Sequence, residues 1–79
     1  MYFKAISLKG TQYEGEVKSI NAKTTSGEIT VLEHHLPLIT VLTKGRLIVT
    51  DKAGKETVIP TTSGFLEVED GNRASALIS

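Results

Sequence analysis

Short runs of β-prone residues recur along this chain at intervals of roughly 8–12 residues, and turn-forming residues separate them. No segment carries apolar residues at the i, i+3, i+4 and i+7 spacing of an amphipathic helix. This combination is typical of sandwiches and barrels, in which each short strand places one face on a shared core. The sequence therefore predicts an all-β protein, a small β-sandwich that forms one domain over residues 1–79.

The stretch from Thr25 to Gly45, TSGEITVLEHHLPLITVLTKG, joins a turn, a strand, a polar corner and a second strand. Ser and Gly favour a turn before an alternating run, so a strand is predicted to begin at Gly27. The polar residues Glu33-His34-His35 interrupt the apolar pattern, and Pro37 favours an extended backbone. A second strand, apolar on both of its faces, is then expected over Leu38–Leu42.

The rest of the chain predicts further strands and hairpins. Tyr2–Leu8 alternates, with Phe3 and Ala5 on one face, and is expected to be the first strand. Val17 and Ile20 lie at an odd spacing, which a β-bulge near Lys18-Ser19 would reconcile. Two hairpins are predicted from Gly-containing turns between β-rich runs: 46–50 with 56–59, and 65–69 with 73–78.

Composition excludes several classes of function. The chain has 79 residues and no Cys, so neither disulfides nor thiolate metal sites can reinforce a core that is necessarily small. Nine basic residues balance nine acidic ones without a basic stripe, so no nucleic-acid partner is expected. No apolar run approaches the roughly 20 residues that span a bilayer. We therefore expect no direct membrane insertion, and another protein would hold the chain at any membrane.

The residue patterns indicate no catalytic or cofactor site. His34 and His35 are adjacent, and neighbouring side chains of a strand point to opposite faces, so they are not expected to bind one metal ion. Ser63-Gly64 lacks the G-x-S-x-G nucleophile elbow, and Ser26-Gly27-Glu28 lacks the Lys of a phosphate-binding loop. These residues predict a non-catalytic binding or structural module without cofactor or metal, which binds no ATP by itself.

Five segments, in their order and spacing, carry a resemblance to a known family. They are Tyr13–Val17 (YEGEV), Thr25–Ile29 (TSGEI), His35–Leu38 (HLPL), Lys44-Gly45 and Ser63–Val68 (SGFLEV). This pattern resembles the N-terminal domain of the epsilon subunit of F-type ATP synthases, which is called delta in mitochondria. The resemblance covers nearly the whole chain. It implies a sandwich of about ten short strands.

The resemblance also implies a function. A member of this family would be a non-catalytic rotor subunit of the central stalk, would bind the gamma subunit and the ring of c subunits, and would couple proton flow to ATP synthesis. In a bacterium it would lie at the cytoplasmic face of the plasma membrane, as a peripheral part of the complex. The alternative left open is a free-standing β-sandwich that binds a ligand or a peptide at an edge strand.

Particular residues are implied as contacts. Glu28 matches the acidic residue of the family that meets the c-ring, and Ser7 and His35 match positions that lie against gamma. A gamma-binding face is therefore expected around Ser7, His35, Leu38 and Thr40. It would include alternate members of the apolar run Leu38–Leu42, because a two-layer sandwich gives each strand only one inward side.

The chain departs from the family pattern in two places. His34 stands where the family usually has Gly, so the backbone of this corner is expected to differ. Many family members also continue into a C-terminal helical hairpin, and no residue follows Ser79 in this sequence. Two explanations stay open: the chain is a truncated form, or it belongs to the short members of the family.

Overall fold

The computed structural model describes every residue from Met1 to Ser79, and all regular elements in it are β-strands. There are seven: β1 Tyr2–Ser7, β2 Gly10–Thr24, β3 Gly27–Leu32, β4 Leu38–Asp51, β5 Glu56–Thr61, β6 Gly64–Glu69 and β7 Arg73–Ile78. The predicted all-β fold is confirmed, and β3 begins at Gly27 as expected. The strands are fewer than about ten because β2 and β4, with 15 and 14 residues, are long and continuous.

The strands form two layers that share β2 and β4. In the first layer the order is β2–β1–β7–β6–β4, using the N-terminal halves of β2 and β4; β1 and β7 are parallel and the other pairs are antiparallel. In the second layer the order is β3–β2–β4–β5, using the C-terminal halves, and every pair is antiparallel. The two layers thus form the predicted sandwich.

The predicted bulge in β2 lies at Lys18. In the pairing of β2 with β4, Val17 is opposite Asp51 and Ser19 is opposite Thr50, which leaves Lys18 without a partner. With strict alternation, Val17 and Ile20 would point to opposite faces of β2. The extra residue lets both side chains point to the same face. Val17 and Ile20 are both fully buried as a result.

The hydrophobic core lies between the layers. It contains sixteen buried apolar residues, and the largest fully buried side chains are those of Phe3, Met1, Ile20, Leu47 and Leu66. The rings of Phe3 and Tyr13 pack with centroids 6.0 Å apart. Alternation along each strand produces this core. Phe3 and Ala5, which were predicted to share one face of β1, are both buried in it.

Both predicted hairpins are present. In the first, β4 pairs with β5 from Thr50–Glu56 to Gly45–Thr61, and the Asp51 carboxylate accepts hydrogen bonds of 2.9 Å from the backbone N–H groups of Ala53 and Lys55 in its turn. In the second, β6 pairs with β7 along its whole length. Local turn chemistry therefore sets these two registers.

Gly64 is the position where the fold most strictly requires glycine. It has φ +146° and pairs with Leu42 on one side and Ile78 on the other. A Cβ atom here would lie 2.1 Å from the carbonyl oxygen of Leu77 and 3.0 Å from the Cα of Ile78. Both are backbone atoms of a paired strand, so relief requires β7 to move.

We expect Gly64→Ala to lower the free energy of unfolding by at least about 2 kcal/mol, because backbone strain and steric overlap act together. Gly15→Ala is the matched control, since Gly15 has φ +156° with nothing within 4 Å of an added Cβ. Urea denaturation of both variants measures the difference. Equal losses of stability would show that the close approach of β7 contributes nothing.

Candidate interaction surfaces

The outer face of the first layer carries a row of apolar side chains that crosses four strands. Val41 is the register partner of Phe65, Phe65 of Leu77, and Leu77 of Ile6. We call these four residues the apolar row. They share the outward side of β4, β6, β7 and β1, because the residues on either side of each in sequence point to the core or end the strand.

The apolar row is open to solvent. Val41, Phe65 and Leu77 are 43%, 54% and 60% exposed, and Ile39, one step along the same face of β4, is 70% exposed. Ile6 is half-buried. Contiguous exposed apolar side chains of this extent on a small domain mark an interaction site rather than ordinary surface. The first layer therefore presents a candidate docking face.

The other end of the same face is charged. The Tyr2 hydroxyl donates a hydrogen bond to the Glu14 carboxylate, and this bond raises the pKa of Tyr2 above its usual 10.0. The Arg73 guanidinium lies over the Tyr2 ring, 5.8 Å from its centroid. Lys4 and Glu67 lie between these groups and the apolar row. The register partner of Lys4 on β2 is Glu14, and that of Glu67 on β4 is Ile39. The face is thus apolar at one end and charged at the other.

Leu38 and Thr40, which were predicted to belong to the gamma-binding face, do not lie on this outer face. Their register partners are Val68 and Leu66, which are buried in the core. Leu38 and Thr40 therefore point inward and are half-buried at the edge of the first layer, and Leu42 is buried. The exposed members of this run are Ile39 and Val41.

Ser7 and His35 lie at opposite ends of the first layer. Ser7 is the last residue of β1, and its hydroxyl oxygen accepts hydrogen bonds from the Lys9 backbone (3.1 Å) and the Gln12 side chain (2.9 Å). His35 is exposed in the corner before β4, with its Nδ1 atom 2.6 Å from the carbonyl oxygen of Leu36. The docking face extends between these two positions.

The corner around His34 keeps the backbone that glycine would favour. His34 has φ +63°, in the left-handed region, which costs a non-glycine residue roughly 1–2 kcal/mol. Its N–H donates a 2.7 Å hydrogen bond to the Asn72 side chain, and this bond offsets part of the cost. His34 therefore adopts a backbone angle that glycine would adopt without strain. The side chain of Asn72, in the β6–β7 turn, anchors this corner.

An ionic cluster holds the same corner from its other side. The α-ammonium group of Met1 donates hydrogen bonds to a Glu33 carboxylate oxygen at 2.7 Å, to the Val17 carbonyl at 3.1 Å and to Glu16 at 3.4 Å. Lys52, in the β4–β5 turn, donates to the same Glu33 oxygen. The hydrogen bond from Lys52, followed by that from the Met1 ammonium, lowers the pKa of Glu33 from 4.5 to about 2.

Glu28 lies on the outer side of the second layer. It follows the turn residue Gly27 at the start of β3 and is exposed. The Thr24 hydroxyl organises that turn, donating to the Gly27 carbonyl at 2.6 Å and accepting from the Ser26 N–H at 3.1 Å. The Glu28 carboxylate accepts a 3.2 Å hydrogen bond from the Asn21 side chain. The predicted c-ring contact is thus an accessible carboxylate beside an ordered turn.

No group of three or more His, Cys, Asp or Glu side chains is placed to hold a metal ion. The structure contains no helix with the length and apolar character needed to cross a membrane.

Comparison with known proteins identifies the family. The family described as ATP synthase, Delta/Epsilon chain, beta-sandwich domain matches residues 1–76. The ATP synthase epsilon chain of Psychrobacter cryohalolentis is 41% identical over 66 residues, and that of Psychrobacter arcticus is 39% identical over 66 residues. Each match covers 84% of this chain and 48% of the relative. The chain belongs to the ATP synthase delta/epsilon chain family, as its sequence resemblance predicted, and spans about half the length of these relatives.

Solved structures show the same fold. A chain in the cryo-EM structure of the Euglena gracilis mitochondrial ATP synthase (OSCP, F1 and c-ring) superimposes with a TM-score of 0.89 at 23% identity, over 96% of this chain and 48% of that one. A chain in the central stalk and c-ring structure of the Tetrahymena thermophila mitochondrial ATP synthase gives 0.83 at 16% identity, over 99% and 62%.

Sequence reasoning missed Phe65 and Leu77, two of the four residues of the apolar row. The run Leu38–Leu42, which contains Val41, was expected to place apolar side chains on the outer face. The available signal was the alternation of the last hairpin. Leu66 and Val68 are buried, so Phe65 must point outward, and its partner Leu77 must follow. The contribution of Asn21 at Glu28 had no signal in the sequence, because it depends on the register of β2 with β3.

We expect Glu33→Gln to destabilise the protein at neutral pH. A carboxylate whose pKa is lowered on folding contributes stability above its unfolded pKa, here near 4.5, and loses it as the pH falls through about 2. The difference in stability between the wild type and the variant should therefore be full at pH 7, shrink below about pH 4.5 and vanish only below about pH 2. Thermal denaturation at a series of pH values measures this, and a difference that does not change with pH would contradict the assignment.

Proposed function

We propose that this chain is a non-catalytic central-stalk subunit of a proton-translocating F-type ATP synthase, which binds the gamma subunit and the c-ring and couples ion flow to ATP synthesis. Its place would be the cytoplasmic face of the bacterial plasma membrane, where it is peripheral and held by its partners. Family membership supports the assignment to the complex. The observation that carries the binding role is the exposed apolar row of the first layer.

The apolar row is proposed as the centre of the gamma interface. Four neighbouring apolar side chains on a sheet surface are unfavourably exposed to water. A partner that covers them gains roughly 1 kcal/mol of binding free energy for each half-exposed side chain of this size. His35 and Ser7, which match gamma-facing positions of the family, border the two ends of this face. Leu38 and Thr40, half-buried at the edge of the first layer, would contribute packing beneath the interface rather than direct anchors.

The c-ring contact is proposed at Glu28. Its carboxylate is exposed, stands beside a turn whose conformation is set by Thr24 and Gly27, and forms no ion pair within the chain. It is therefore free to accept hydrogen bonds from basic or amide groups of c-subunit loops. Such charge-assisted bonds contribute roughly 1.5–3 kcal/mol when water is excluded, and much less at a wet rim.

We expect Val41→Glu to abolish binding to gamma while the domain stays folded. The side chain lies on the outer face, so the new charge meets solvent in the free subunit but would be buried without a partner in the complex. Co-purification of the tagged chain with gamma measures binding, and far-ultraviolet circular dichroism measures folding. Leu42→Glu should instead unfold the domain, because Leu42 is 2% exposed.

Val58→Glu is the matched control for this experiment. Val58 is an exposed valine on the outer side of the second layer, 57% accessible. This variant should bind gamma as the wild type does. A folded Val41→Glu variant that still binds gamma would remove the apolar row from the interface, and loss of binding by Val58→Glu alone would move the interface to the second layer.

We expect Glu28→Ala to weaken coupling in the assembled enzyme without changing the stability of the isolated domain. Membrane vesicles that carry the enzyme should pump fewer protons for each ATP hydrolysed. Glu56→Ala is the control, since Glu56 is an exposed carboxylate at the other edge of the same layer. Proton pumping that is unchanged by Glu28→Ala would exclude this carboxylate from the c-ring contact.

A further inference from the structure

Asn21 is the only side chain that forms a hydrogen bond with Glu28. It lies on β2, opposite Thr30 and diagonal to Glu28 on β3. Its Nδ2 atom donates one hydrogen bond to a Glu28 carboxylate oxygen at 3.2 Å and another to the Thr30 hydroxyl at 2.9 Å. Both N–H groups of the amide are therefore used on the outer side of the second layer.

The amide is fixed in this orientation although the orientation is unfavourable for its oxygen. The Oδ1 atom of Asn21 is buried and has no hydrogen-bond partner. Rotating the amide by half a turn would place that oxygen against the Glu28 carboxylate and lose both donated bonds. A buried acceptor without a hydrogen bond destabilises the folded state. The Asn21 side chain is therefore poorly suited to stability alone.

The lysine nearest in register does not neutralise Glu28. Lys23 is the direct cross-strand partner of Glu28, but it forms no ion pair with it. The three ion pairs of the structure are formed among Met1, Glu16, Glu33 and Lys52. The Lys23 stem instead covers Gly45, where its Cδ atom lies 3.0 Å from the position of an added Cβ. Glu28 is thus held by a neutral amide and forms no ion pair within the chain.

We propose that Asn21 is a positioning residue for the c-ring contact, which orders the Glu28 carboxylate before the partner arrives without neutralising it. This inference rests on the proposed role of Glu28. A long carboxylate side chain loses rotamer freedom when it is fixed at an interface, and a hydrogen bond made in the free subunit removes most of that loss from the binding step. A neutral donor achieves this while leaving the charge available to a basic or amide group of the c-subunit loop.

The experiment compares Asn21→Leu, Glu28→Ala and the double variant, each in complex with gamma, for binding to immobilised purified c-ring. Leucine has a similar volume, cannot donate a hydrogen bond and removes the unsatisfied oxygen, so the variant should unfold at the same temperature as the wild type or higher. Asn21→Ala serves as a second variant if the leucine variant does not fold. Ser19→Ala is the control, because Ser19 lies on the same side of β2 and does not contact Glu28.

We expect Asn21→Leu to raise the half-saturating concentration about three- to tenfold, and the double variant to bind within about twofold of Glu28→Ala alone, since the amide acts only through the carboxylate. If the affinity losses of Asn21→Leu and Glu28→Ala multiply in the double variant, the positioning role is overturned while the c-ring contact stays intact. Unchanged binding of Asn21→Leu would overturn it as well. Unchanged binding of Glu28→Ala would instead overturn the proposed contact itself.

Discussion

The pairing of β2 with β4 is the interaction on which the rest of the sandwich depends. Each strand contributes its N-terminal half to the first layer and its C-terminal half to the second, and the two are paired from Val17–Asp51 to Thr24–Leu42. Their shared register fixes how the layers are offset, and the bulge at Lys18 lets β2 pass between them while Val17 and Ile20 both stay in the core. Because the layers are joined by strands, both outer faces are regular sheet surfaces on which side chains stand in rows.

Those rows separate the two proposed contacts. The outer face of the first layer holds the apolar row and the charged group around Tyr2, and the outer side of the second layer holds Glu28 with Asn21. The β3–β4 corner lies between the two layers and is tied down by Glu33 and His34. A subunit built in this way can contact one partner through a broad apolar surface and a second through a single ordered carboxylate, with a rigid core between them.

Local patterns predicted much of this fold. Alternation and turn residues located the starts of β1, β3 and β4, both hairpins and the bulge at Lys18, because each depends on residues close together in sequence. Which side chains of Leu38–Leu42 face the core could not be predicted, because apolar residues occupy both faces of this strand. Only its pairing with β6 distinguishes the two faces. The parallel pairing of β1 with β7 and the contacts of Glu33 join residues that are distant in sequence. The contact of Asn21 with Glu28 depends on the register of two neighbouring strands. Alternation of apolar and polar residues carries no information about any of these contacts.

The most direct test of the docking face is photocrosslinking in the assembled ATP synthase. Phe65 is replaced by p-benzoylphenylalanine, which keeps an aromatic ring in the middle of the apolar row, and Val58 is replaced by the same residue on the opposite layer. Irradiation should join position 65 to gamma and leave position 58 without a gamma adduct. A gamma adduct at position 58 together with none at position 65 would contradict the account.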